Sequence, residues 1–269
     1  KYMKIGNREF DFTSHCYVMG ILNVTPDSFS DGGAHAAPAA ALAHAVALAE
    51  QGADVIDVGG ESTRPGAQEV PPAEEAARVL PVLRAIRREL PHIRLSIDTR
   101  HAEVARAALD AGADIVNDIT GLRAPGMLEL CAQAGCGIVL MHMQGNPATM
   151  QDNPQYADVV AQVRAFFEER VQAAEQAGID PQRICLDPGF GFGKTTAHNM
   201  ALLEHLEDLR VRNLPLMSAL SRKRFLKEYF GNPADPQSTV AASLIAAAHG
   251  ADLHRVHDVQ ALWQAMHRA

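Results

Sequence analysis

Eight short apolar runs punctuate the 269-residue chain, and each stops at a residue able to do chemistry. The run at 18–22 stops at Asn23, and the run at 55–58 at Gly59-Gly60-Glu61-Ser62-Thr63-Arg64. The run at 93–97 stops at Asp98, 115–116 at Asn117-Asp118, 138–141 at His142, and 184–186 at Asp187. The run at 214–220 stops at Ser221-Arg222-Lys223, and the weaker 251–253 leads into Arg255 and His257. Stretches with helical periodicity lie between them. Strand, functional residue and helix, repeated, predict an α/β fold of the (β/α)8 TIM-barrel type, whose active site gathers at the C-terminal strand ends.

The links between units support this. Gln51-Gly52-Ala53-Asp54, Ala111-Gly112-Ala113-Asp114, Ala134-Gly135-Cys136-Gly137 and His249-Gly250-Ala251-Asp252 each precede a run. A glycine just past a helix takes the left-handed conformation that caps the last carbonyls. The chain then enters a strand whose β-branched residues suit a sheet covered on both faces. An open doubly wound sheet shares this local grammar, but eight countable units favour the barrel. No Pro/Gly/Ser-rich linker divides the chain, so one barrel over 1–269 is expected, near the ~250 residues such folds typically use.

The net charge of −8 argues against a nucleic-acid partner, which demands a basic face. It leaves room for a small anion held by a few converging cations. No stretch approaches the ~20 apolar residues of a membrane span. Cys16, Cys131, Cys136 and Cys185 show no CxxC spacing, and three sit in or beside apolar runs. Buried reduced thiols in a cytoplasmic protein are the expectation.

Two loops are rich in turn and contact residues. Loop one, from Asn23 to Gly33, exceeds the roughly 2–6 residues usual for such a connection and suits a lid. Loop two, Gly59 to Ala67, sets an Arg beside a hydroxyl and glycines, a combination suited to a phosphate-like group. Either alone also fits an ordinary surface loop. Asp187-Pro188-Gly189-Phe190-Gly191-Phe192-Gly193-Lys194-Thr195 is not a nucleotide P-loop, because Pro188 stands where the first Gly is required. Its two phenylalanines predict a flat pocket floor for a ring, with core packing an equal alternative for Phe190.

Asp98, Asn117 and Asp187 could each cap a helix. Three such groups at three strand ends should instead share one space, where carboxylates accept from ring N–H donors. Arg255 and His257, two apart, should project to one side and form an anion clamp with Arg64. His142 reads as a satisfied core histidine. No His/Cys cluster proposes zinc, while a magnesium held by one Asn and substrate phosphates would leave little trace.

These motifs resemble the dihydropteroate synthase family over nearly the whole chain. The resemblance rests on residues 20–33, Glu61-Ser62-Thr63-Arg64-Pro65-Gly66, Ser96-Ile97-Asp98-Thr99, Asn117-Asp118, Met141-His142-Met143-Gln144-Gly145, residues 187–194, Ser221-Arg222-Lys223 and Arg255-Val256-His257-Asp258. It implies condensation of 6-hydroxymethyl-7,8-dihydropterin diphosphate with 4-aminobenzoate, giving 7,8-dihydropteroate and diphosphate. It implies that Asp98, Asn117, Asp187 and Lys223 hold the pterin, with Ile119 and Met141 against its face. Asn23 would meet Mg2+ and the diphosphate, which Thr63, Arg64, Arg255 and His257 also bind. Phe29, Thr63, Pro65, Phe192, Lys223 and Arg224 would frame the 4-aminobenzoate pocket, where sulfonamides compete. Asp98, Lys223, Arg255 and His257 would be catalytic, and the barrel would pair as a homodimer through its later helices. One departure is Ala219, where the family commonly has Gly.

Two rivals share some of these residues. A pterin-dependent methyltransferase acting on a corrinoid protein has no use for the Arg64/Arg255/His257 clamp. A non-catalytic paralogue tends to lose the loop residues that are present here.

Overall fold

The computed structural model describes residues 1–25, 33–64 and 66–267, the side chains of 33–36 excepted. A hairpin, β1 (Tyr2–Ile5) and β2 (Arg8–Asp11), precedes eight strands: β3 (Tyr17–Asn23), β4 (Val55–Gly59), β5 (Arg94–Asp98), β6 (Ile115–Asp118), β7 (Gly137–Met141), β8 (Ile184–Asp187), β9 (Met217–Ser218) and β10 (Leu253–Val256). All eight pair in parallel, in the order β8-β7-β6-β5-β4-β3-β10-β9. A parallel bridge between Leu186 and Leu216 brings β8 back to the approach of β9. There the Leu186 N–H donates to the Pro215 carbonyl at 2.9 Å. The ring of strands is therefore a nearly closed (β/α)8 barrel.

Helices α1 (Gly33–Glu50), α2 (Pro72–Glu89), α3 (Ala102–Asp110), α4 (Met127–Ala134), α5 (Val159–Gln176), α6 (Thr196–Glu204), α7 (Lys227–Phe230), α8 (Pro236–Ala248) and α9 (Val259–Met266) surround it. Local chemistry sets several boundaries. Asp158 caps α5 by accepting from the Ala161 N–H, and Thr195 with His198 forms a capping box on α6. Gly52, Gly112, Gly135 and Gly250 all have positive φ, as the recurring pre-strand phrase requires.

Strand side chains alternate between two cores, as the period of two demands. The outward set, including Val18, Leu22, Ile56, Val58, Leu95, Ile97, Ile138 and Leu186, packs against the helices. The inward set begins with a closed layer: Met19, Val55, Ile115, Val139, Cys185, Met217 and Leu253, packed against Met3, Ile5, Phe10 and Phe12 of the hairpin segment. The hairpin thus plugs one end of the barrel. On β5 the buried Ser96 takes the floor position, and two residues further along the strands stand Ile21, Asp57, Asp98, Asn117, Met141, Asp187, Ala219 and Arg255. One step of alternation turns an apolar floor into a chemical layer.

The apolar run at 214–220 does not become a long strand: only Met217–Ser218 is strand. Arg212 and Asn213 are left-handed just before it, and Pro215 has no N–H to give the ladder. Likewise β10 begins only at Leu253 and carries Arg255 within it. The four cysteines are free, three of them buried. No helix among the described residues is long and apolar enough to cross a membrane.

Candidate functional site

The layer above the floor is held by one buried hydrogen-bond network. Arg255 donates from Nε to Asp57 Oδ2 at 2.7 Å and from Nη2 to Asp98 Oδ2 at 3.0 Å. Asn117 Nδ2 donates to the same Asp57 oxygen at 3.1 Å. Burial drives the Asp98 carboxyl up to about 7, with Arg255 opposing the rise and the charge of Asp57 adding to it. Asp187 is also raised by burial, although its Oδ1 accepts from the Gly189 N–H at 2.8 Å. Asp98, Asn117 and Asp187 therefore share one space, as expected, and none of them caps a helix.

Asp57 was hidden inside the run at 55–58, yet it is fully buried and binds two of the expected site residues. The legible signal was a carboxylate two residues after Val55, on the inward face of a strand. Ser221, three residues beyond β9, is a second such case. Its Oγ lies 2.7 Å from His257 Nδ1 and accepts from the His257 backbone N–H at 3.1 Å. Burial pushes His257 down to about 3, reinforced by Arg222, Arg255, Arg64 and Lys223. A neutral imidazole bonded through Nδ1 to a hydroxyl can present an Nε2–H donor to an anion.

The ring-binding floor divides its two phenylalanines. Phe190 belongs to the main core and stacks on Phe225 with centroids 6.2 Å apart. Phe192 joins Ile119, Met141, Met143 and Met150 in a separate apolar cluster at the barrel mouth. Lys223 Nζ stands 4.4 Å from the Phe192 centroid, and burial, aided by Arg255, lowers this ammonium to about 8. The glycine loop beneath is shaped by contact: at Gly189, with φ +71°, an added Cβ would collide with the His142 carbonyl. Buried Lys194 fixes the loop by donating to the Gly189 and Phe192 carbonyls at 3.0 Å each. It also meets His142 Nδ1 at 3.0 Å. His142 is thus a buried, satisfied histidine, pushed down to about 2 by burial and by Lys194.

Asn23 closes β3 beside Gly59, half-buried. Thr63 is half-buried and Arg64 exposed in loop two. The base of that loop is tied down by Glu61, which accepts from Arg100 at 3.0 Å and from the Val70 N–H at 3.1 Å. Glu61, Glu75 and His101 bring potential ligand atoms within 4.8 Å of one another, but Arg100 and His101 already serve the two carboxylates. Arg224, exposed, opens a 3-10 turn followed by four-residue α7. Phe29 and Pro65, expected at the amine pocket, lie outside the described residues. The inward methyl of Ala219 packs in the barrel interior, 8% exposed, so the extra carbon is accommodated.

Comparison with known proteins fits this layer. The family described as "Pterin binding enzyme" matches residues 19–257. The dihydropteroate synthase of Escherichia coli (strain K12) is 49% identical over 255 residues, covering 94% of this chain and 90% of the relative. A solved structure of Xanthomonas albilineans dihydropteroate synthase with 4-aminobenzoic acid is 48% identical, with a TM-score of 0.90 over 98% of this chain and 95% of that one. The Yersinia pestis dihydropteroate synthase in a sulfonamide drug complex is 44% identical, with a TM-score of 0.92 over 99% and 97%.

Proposed function

The chain belongs to the dihydropteroate synthase family of pterin-binding enzymes, and we propose that its barrel mouth joins 6-hydroxymethyl-7,8-dihydropterin diphosphate to 4-aminobenzoate. The observation that carries this is the layer of Asp98, Asn117 and Asp187 around Arg255, with Lys223 above Phe192. Three acceptors and an ammonium match a pterin edge that offers several N–H donors and a carbonyl. Ile119, Met141 and Phe192 give the ring an apolar bed.

The C–O bond to diphosphate breaks and its electron pair leaves with the diphosphate, the arylamine lone pair forms the C–N bond, and the amine proton passes to water or to the departing diphosphate. The departing diphosphate meets a cationic rim: Arg64, Arg255 and the neutral His257 donor, with Thr63 beside them. Preorganised donors at a leaving anion stabilise the transition state without reorganising. The methylene left behind is electron-poor, and Asp98 faces it as counter-charge through the oxygen that Arg255 leaves free. Phe29, Thr63, Pro65, Phe192, Lys223 and Arg224 would receive the amine, and sulfonamides would compete there.

Asn23 offers one neutral amide oxygen at a strand end, which suits a Mg2+ ion ligated mainly by diphosphate and water. When bound, that ion supplies Lewis-acid stabilisation of the leaving group. A homodimer is supported by α8: its exposed positions Ala241, Leu244, Ile245 and Ala248 form an apolar face.

The deciding experiment is a coupled assay for dihydropteroate and diphosphate. Diphosphate release should depend on 4-aminobenzoate, and enzyme that binds pterin without turnover would sink the reading. Methyl transfer to a corrinoid is not favoured, because the cationic rim has no place in it.

A further inference from the structure

Asp57 lies two residues beyond Val55 of the apolar floor, on the same inward face of β4. It is fully buried, and its Oδ1 has no hydrogen-bond partner among the described residues. Burying a carboxylate is costly, and replacing buried ion pairs with apolar groups is often neutral or stabilising. Stability alone therefore does not account for a carboxylate at this position.

The bonds of its other oxygen suggest what does. A carboxylate can only accept, so the Asn117 group facing Asp57 must be the amide nitrogen. With Nδ2 committed to Asp57, the carbonyl oxygen is the end of the Asn117 amide left for a ligand. Left unanchored, an amide could present either end. The same Asp57 oxygen fixes Arg255 through Nε, leaving Nη2 for Asp98.

We propose that Asp57 is a positioning and specificity-determining residue: by anchoring Arg255 Nε and Asn117 Nδ2 on one oxygen, it makes Asn117 an acceptor toward the pterin and holds Arg255 beside Asp98. This rests on the pterin reading of the site. Asp57 does not touch substrate; it sets the polarity of the groups that do. The ligand class so selected is a ring with N–H donors on the edge facing Asn117, and a ring with an acceptor there is rejected.

Two variants separate orientation from charge. Asp57→Leu removes the acceptor, and Asp57→Asn keeps one oxygen while removing the charge. Steady-state kinetics of full-length enzyme would be read with calorimetric binding of 6-hydroxymethyl-7,8-dihydropterin and with thermal melting. Asp57→Leu should raise KM for the pterin diphosphate, and Kd for the free pterin, by about tenfold or more. KM for 4-aminobenzoate should stay within about twofold. Asp57→Asn, which keeps one acceptor, should raise the same pterin KM and Kd by a smaller factor, and that rise over wild type is read even if the Leu variant does not fold. A general packing role would raise both KM values together, and that result, or unchanged pterin Kd in both variants, overturns the proposal. Wild-type enzyme that binds the pterin but releases no diphosphate would count against the synthase reading alone, because the binding comparison still tests Asp57.

Discussion

Asp98 and Arg255 meet at 3.0 Å across the barrel mouth from strands three places apart, yet the guanidinium does not hold the carboxyl in the ordinary acid range. Burial wins, with Asp57 adding its repulsion, and Asp98 titrates at about 7. Asp98→Asn keeps size and hydrogen bonding but removes the charge opposite the electron-poor methylene. The fold should survive, with melting behaviour near wild type, while kcat falls by about 10²-fold or more. A kcat within a few-fold of wild type would rule out the counter-charge role.

The pH profile should be narrow. Asp98 serves as counter-charge only when ionised, so activity is gained as pH rises through about 7. Lys223 donates a charged contact only when protonated, so activity is lost as pH rises through about 8. The rate kcat/KM for the pterin substrate should therefore form a bell between those values, reporting the free enzyme. Lys223→Met should abolish the basic limb and leave the acid limb in place. A plateau from pH 6 to 9 in wild type would contradict both assignments.

Arg255→Ala should cost stability as well as affinity, because it strips the partner from fully buried Asp57 and from largely buried Asp98. The loss expected for breaking such a pair is about 3–5 kcal/mol. It should depend on pH with a definite sign. Without Arg255, Asp98 rises further, and its folded-state pKa exceeds the unfolded value of about 3.9. The folded variant then binds more protons than the unfolded one, so its stability falls as pH increases from about 4 through that raised pKa. Chemical denaturation at pH 5.5 and 8.5 should show a larger deficit at 8.5. An equal deficit at both would mean that Asp98 does not feel Arg255.

The barrel was legible because all eight units show an apolar run, and four of them announce it beforehand with a left-handed glycine. Gly52, Gly112, Gly135 and Gly250 behave as that grammar requires. Where the signal weakened, so did the reading: around Pro215 the apolar run gives only two strand residues. The opening hairpin was equally visible in principle, since Met3, Ile5, Phe10 and Phe12 alternate about Gly6-Asn7, a hairpin-turn dipeptide. The site was legible at the strand ends, where a polar residue breaks the pattern. Asp57 sits inside a strand, and only the period-two alternation, followed through the apolar run, distinguishes it. The Ser221–His257 and Lys194–His142 contacts join segments 36 and 52 residues apart, a pairing that no local pattern encodes.

The exposed face of α8 predicts self-association. Leu244 and Ile245 are each 40% exposed, and Ala241 and Ala248 continue their stripe a turn to either side. The opposite face, with Val240, Ala242 and Ala246, is already packed against the core. A helix apolar on both faces belongs in an interior, so a second copy is the natural cover. Sedimentation at micromolar concentration should give a dimer for wild type. Leu244→Glu with Ile245→Glu should shift it to monomer while the circular dichroism spectrum stays unchanged, because neither side chain is needed inside the barrel. A wild-type monomer at that concentration, or a charge-bearing variant that still dimerises, would place the interface elsewhere.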